Sequence, residues 1–139
     1  MARQIGKRAV LLIGHDPLNL PAQPLGEDVI AAPYALYAYL FPSTALIVHH
    51  GGIGTTGQAL RAGKPMLVVP YGGDQFDNGA RVERLGVGTI IRRQHYRAHQ
   101  VAEVMQRLMG NKDGQQNALL LGQQVQDEQG VQTACDAIE

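Results

Sequence analysis

The chain has 139 residues, 45% of them apolar, with 12 lysines and arginines matched by 12 aspartates and glutamates. That is the size of one domain with a real core, too apolar for wholesale disorder, and without the basic excess of a nucleic-acid or membrane-surface binder. No apolar run approaches the ~18 residues of a membrane span, the N-terminal MARQIGKR has no signal-peptide core, and the single cysteine, Cys135, makes neither an internal disulfide nor a cysteine metal site, which points to a reducing cytoplasm.

Residues Arg8–Gly14 (RAVLLIG) read as a short buried strand closed by glycine. His15–Asp28 is rich in Pro, Gly, Asn and Asp and reads as a loop. Val29–Ala32 is a second short strand, and Pro33–Phe41 is weakly helical until Pro42 stops it. Ala45–His49 (ALIVH) is another buried strand. Thr55–Ala62 is a helix with Gly63 as its C-terminal glycine. Pro65–Pro70 (PMLVVP) is a strand bounded by prolines. Asp74–Leu85 is a helix ending at Gly86, and Val87–Ile91 is a strand. Ala98–Met109 carries Val101, Val104, Met105 and Leu108 at helical spacing. A last helical region starts at Ala118–Leu121 and runs toward Ile138, interrupted near Gly130. Within it Cys135 reads as a small, buried or half-buried apolar residue. Short apolar strands alternating with helices make this an α/β fold, a parallel sheet with helices on both faces. Ligands of such sheets bind beyond the C-terminal strand ends, so the loops after Gly14, His49 and Pro70 matter most.

Glycine is the compositional outlier: 17 residues, well above the usual share of ~7%. After ALIVH the sequence runs His49-His50-Gly51-Gly52-Ile53-Gly54-Thr55-Thr56-Gly57, with G-x-G-x-x-G at Gly52, Gly54 and Gly57. Such glycines permit positive φ and remove the Cβ, so backbone N–H groups can approach an anion. The helix that follows offers unpaired N–H groups and a positive dipole end. Thr55 and Thr56 add hydroxyls, and His50 can donate to a phosphate oxygen. A diphosphate is the natural guest; a turn built only for close helix–strand packing is the alternative. His49 reads as structural, a packed and satisfied histidine. A dinucleotide site calls for an acid at the end of the next strand, whereas here that strand ends at Pro70 and Asp74 follows only after Tyr71-Gly72-Gly73. Asp74 and Gln75 offer the acceptors and donor that hold sugar hydroxyls; Asp74 as a helix N-cap is the plainer reading. No P-loop lysine, no zinc spacing and no G-x-S-x-G elbow is present. His95 and His99, four apart, read as a solvated helix face rather than a metal pair.

The segment VHHGGIGTTGQALRAGKPMLVVPYGGDQFDNGARVERLGVG, Val48 to Gly88, closely resembles the donor-binding signature of GT-B glycosyltransferases of the UDP-glucuronosyl/glucosyltransferase type, with bacterial sterol-, antibiotic- and rhamnosyl-transferring relatives nearest. The resemblance implies a Rossmann-like domain, the C-terminal half of the GT-B pair. It implies that His50 contacts the donor diphosphate and that Gly52, Gly54, Thr55 and Thr56 belong to the turn that holds the phosphates. Asp74 and Gln75 match the pair that binds donor sugar hydroxyls. Gln58 stands where many relatives carry a ribose-binding Glu, a departure from the pattern. Plant-type relatives stack a Trp on the uracil; this chain has no Trp, so the substrate is a UDP- or a TDP-sugar, its base read by backbone near Ala32–Tyr34. No separate cofactor and no metal are implied.

By the same resemblance residues 1–139 form a partial donor-binding domain. The resemblance covers neither the acceptor domain, which usually carries the catalytic base, nor the first strand unit of the donor domain, and both are expected to be missing from these residues. That strand is central in the family's sheet, so a gap is expected beside ALIVH, to be closed by a different pairing or by another chain. No catalytic base is expected here; His15 is a loop histidine. The expected function is therefore the donor part of an inverting hexosyltransferase, a fragment or one subunit of a split enzyme, inactive alone, which works with an N-terminal acceptor domain, with a partner chain or as a homo-oligomer. A non-catalytic nucleotide-binding module or remnant, and an NAD-dependent oxidoreductase, are the competing readings.

Overall fold

Five short strands and six helices make up the computed structural model, which describes residues 1–138. In chain order these are β1 (Ala9–Leu12), β2 (Val29–Ala32), α1 (Tyr37–Leu40), β3 (Ile47–His49), α2 (Ile53–Arg61) and β4 (Met66–Val68), then α3 (Gln75–Arg84), β5 (Gly88–Ile90), α4 (Ala98–Gly110), α5 (Lys112–Asp127) and α6 (Gly130–Ile138). Every strand pair is parallel. The strands form two sheets, β3-β4-β5 and β1-β2. The register aligns Ile47 with Met66 and Met66 with Gly88 in one, and Ala9 with Val29 in the other.

β4 is the centre of the larger sheet, and its alternating side chains feed two cores. Met66 and Val68 join Phe41, Ile47, Ala59, Val82, Val87 and Ala118, which belong mostly to α2, α3 and α5 or their flanks. Leu67 and Val69 point the other way, into a cluster with Ile91 and with Val101 and Leu108 of α4. A strand apolar at every position thus meets helices on both faces, as a parallel sheet requires. Close packing fixes several glycines: a Cβ on Gly79 of α3 would come within 2.7 Å of Ile90 Cγ1, one on Gly122 of α5 within 2.7 Å of Gly63 Cα, and one on Gly88 of β5 would run into the Met66 carbonyl oxygen. Gly63 and Gly86 follow α2 and α3 in the left-handed region, at φ 64° and 66°, as expected for helix ends.

The last helical region differs from expectation. It begins at Lys112, because the Asn111 side chain accepts from the Gly114 N–H at 3.1 Å and starts a helix there. The break near Gly130 is present, and α6 follows it with no buried residue. Cys135 is therefore exposed, not buried: α6 lays no face against the core. No helix among the described residues is long and apolar enough to cross a membrane.

The gap beside β3 is not closed by re-pairing. Among the described residues no strand lies along its other edge, and β1-β2 stays a separate sheet. Val48 is 40% exposed, Val10 45% and Ile30 64%. The smaller sheet is tied in through the 3-10 turn at Arg3–Ile5, which touches α4.

Candidate functional site

The loops after β3 and β4 meet at one end of the larger sheet. The chain leaves β3 through Gly51, at φ 94°. The Gly51 N–H donates to His49 Nδ1 at 3.0 Å, and its carbonyl accepts from Asn78 Nδ2 at 2.9 Å. A Cβ there would lie 2.8 Å from Val68 Cγ1 and 3.0 Å from the Gln75 carbonyl oxygen. Only glycine suits both the backbone angle and the space. The positive φ thus falls on Gly51 and not on the G-x-G-x-x-G glycines: Gly52 is the N-cap of α2 at φ −62°, and Gly54 and Gly57 are helical. What those three supply is room. Around a Cβ at Gly54 or Gly57 there is nothing within 4 Å, while one at Gly52 would meet His50 Nε2 at 2.6 Å. The exposed His50 ring therefore lies against the bare backbone at the start of α2.

Helix α2 has no side-chain cap. Its first internal bond runs from the Thr56 N–H to the Gly52 carbonyl at 3.0 Å, which leaves the N–H groups of Ile53, Gly54 and Thr55 without intrahelical partners. Thr55 is half-buried in this first turn. Thr56 is buried, and its hydroxyl donates to the Gly52 carbonyl at 2.9 Å; its hydrogen is committed to the turn itself.

His49 is the structural histidine, but it is not satisfied. With Nδ1 accepting from Gly51, the ring proton sits on Nε2, and Nε2 is buried without a partner among the described residues. Burial, with His50 beside it, lowers its pKa from 6.5 to about 4, so the ring is neutral near pH 7.

Asp74 stands at the N-cap of α3 yet makes no cap hydrogen bond. Its Oδ2 instead accepts from Asn78 Nδ2 at 3.0 Å. Gln75 turns its side-chain carbonyl back to the loop, where Oε1 accepts from the N–H groups of Tyr71 (2.8 Å) and Gly72 (3.3 Å). Its amide hydrogens remain available. Arg93 lies 5.1 Å over the Tyr71 ring, a cation–π contact that braces the same loop. Gln58 and Tyr34 share a cleft of about 300 Å³, lined also by Ala35, Leu36, Tyr37 and Ala38. His15 and His95 are exposed, and His99 Nε2 lies 3.7 Å from Glu103 Oε1, on the exposed face expected of it.

Sequence reasoning missed Gly51 and Asn78. The spacing D-Q-F-D-N, with Asn78 one helical turn after Asp74, was the available signal.

Residues 11–134 match the family described as erythromycin biosynthesis protein CIII-like, C-terminal domain. The chain belongs to that family. This C-terminal domain is 40% identical over 128 residues to a sterol 3-beta-glucosyltransferase of Aspergillus terreus, covering 88% of this chain and 9% of the relative. It is 36% identical over 126 residues to that of Yarrowia lipolytica, covering 91% and 8%. It is thus a glycosyltransferase C-terminal domain homologous to sterol glucosyltransferases, and it spans less than a tenth of their length. Its α/β fold of parallel sheets and helices is that of the calicheamicin glycosyltransferase CalG4, with TM-score 0.86 at 22% identity over 99% of this chain and 37% of the other. The glycosyltransferase VinC, solved in complex with DTDP, is 27% identical with TM-score 0.70, covering 75% of this chain and 26% of that one.

Proposed function

We propose that this domain binds the nucleotide-diphosphate sugar of an inverting glycosyltransferase that moves a hexose to an acceptor hydroxyl. The observation that carries the reading is the meeting of two loops. The uncapped start of α2, with His50 across it, lies against the loop that presents Asp74 and Gln75, and Gly51 touches both. Three unpartnered N–H groups and the helix dipole suit a diphosphate. Asp74 and the Gln75 amide suit sugar hydroxyls, and the Gln58–Tyr34 cleft suits the nucleoside. The DTDP held by VinC supports the nucleotide part.

In this reading the diphosphate is the leaving group. As the acceptor oxygen bonds to the anomeric carbon and the sugar–phosphate bond breaks, negative charge grows on the diphosphate. The α2 N–H groups, Thr55 and His50 stabilise it there without reorganising. The acceptor proton goes to a base outside this chain, supplied by an acceptor domain or a partner chain. No separate cofactor is assigned.

Titration calorimetry with UDP, TDP, their glucose conjugates and NAD tests the reading. We expect a UDP or TDP compound to bind and NAD not to; NAD binding with no UDP or TDP response overturns it.

A further inference from the structure

Among the described residues the fully buried polar ones are Thr56 and Asn78, His49 being half-buried. Thr56 bonds within its own helix. Asn78 does something different: it joins two segments 27 residues apart in sequence. A buried amide destabilises unless its hydrogens find acceptors. Asn78 Nδ2 has two, the Gly51 carbonyl at 2.9 Å and Asp74 Oδ2 at 3.0 Å. The first belongs to the turn after β3, the second to the loop after β4.

An aspartate at a helix N-cap ordinarily turns its carboxylate onto the N–H groups of the first turn. Asp74 does not. One of its oxygens is held by Asn78 instead, and the residue is exposed to solvent. The direction of the carboxylate is thus set by a side chain anchored to Gly51, in the turn that precedes α2.

We propose that Asn78 is a positioning residue. It fixes the Asp74 carboxylate relative to the diphosphate turn, so that the sugar end and the phosphate end of one nucleotide sugar are held at a set separation. This rests on the donor reading above and adds to it a coupling between the two halves of the site. Asn78 touches no ligand in this arrangement; it acts through Asp74 and Gly51.

The test is calorimetry on the 139-residue chain with UDP against UDP-glucose and TDP against TDP-glucose, following the ratio of the two affinities in each pair. In Asn78→Ala the preference for the sugar nucleotide over its diphosphate falls about tenfold, the loss of one well-placed hydrogen bond to a charged group. In Asp74→Ala the preference is already lost, and adding Asn78→Ala changes it no further. A purely structural role would weaken both ligands alike and leave the ratio unmoved. If Asn78→Ala does not fold, Asn78→Ser takes its place, since its hydroxyl is too short to span both acceptors, and the same fall is expected. An unchanged ratio in a folded Asn78 variant, or a further fall on the Asp74→Ala background, overturns the role of Asn78 alone. A wild-type chain that binds none of the four probes overturns the donor reading itself, and this inference with it.

Discussion

The two sheets are built from similar sequence and end in different surroundings. PMLVVP and RAVLLIG are both short apolar runs. In β4 all of Met66, Leu67 and Val68 are 0% exposed. In β1 and β2 no residue is fully buried. The difference lies in the neighbours: β4 has a strand on each side and helices above and below, whereas β1 has one strand partner. An apolar run states what a strand needs, but whether that need is met depends on what lies alongside it. The candidate site follows the same division, since the two loops that form it, after β3 and β4, both spring from the well-covered sheet.

The largest expected effect is on that sheet. Leu67→Ala empties a fully buried position and should cost about 2–5 kcal/mol in denaturant unfolding. Ile30→Ala, in β2, removes a side chain that is 64% exposed and should change stability by no more than about 0.5 kcal/mol. Equal losses would break the contrast, because they would mean that the face of β2 is covered in solution.

Next in size is the site at the end of β3. His50→Ala should weaken diphosphate binding by about 1.5–3 kcal/mol, the loss of a charge-assisted bond, with the unfolding midpoint little changed because His50 is exposed. A mutant that binds UDP and TDP as the wild type does would remove His50 from the site.

These loops also show how far the sequence can be read. Proline and glycine punctuation marked α3 to within one residue and β4 and α2 to within two, because Pro65, Pro70, Gly63 and Gly86 act locally. The beginning of β3 was misplaced by two residues: the ladder starts only where the Ile47 N–H reaches the Pro65 carbonyl, a partner that ALIVH does not reveal. The start of α5 was missed because Lys112, Asp113 and Gly114 carry no apolar stripe and the cap comes from one Asn111 oxygen. In the site, the residue types in the two loops were legible, but which glycine takes the positive φ was not. That choice is set by Val68 and Gln75 across the sheet end. The pair of hydrogen bonds that Asn78 Nδ2 donates is invisible for the same reason, since its two acceptors come from different strand ends.

A third effect, spread over the acid range, separates the sheets by pH. The His49 pKa is lowered in the fold to about 4 from 6.5, so the unfolded chain takes up the proton first as pH falls. The neutral ring's contribution is complete above about pH 6.5 and is lost progressively down to about pH 4. Its slope cannot exceed about 1.4 kcal/mol per pH unit, the value for one proton. His49→Gln should flatten unfolding free energy against pH across that window. An unaltered slope would mean that the acid sensitivity lies elsewhere.

The smallest effect concerns what anchors the other sheet. Arg3 Nε lies 3.8 Å from Asp28 Oδ2, just before β2, with the two side chains 66% and 53% exposed. At that exposure water and salt screen most of the attraction, and ordering two flexible side chains offsets the rest. Asp28→Asn should therefore shift stability by less than about 0.5 kcal/mol, and added salt should not alter the shift. The backbone supplies the firmer link in the same place, since the Ala9 N–H donates to the Asp28 carbonyl at 2.8 Å and the substitution keeps it. A loss well above 1 kcal/mol that faded with salt would show instead that charge, not the β1–β2 ladder, holds this sheet together.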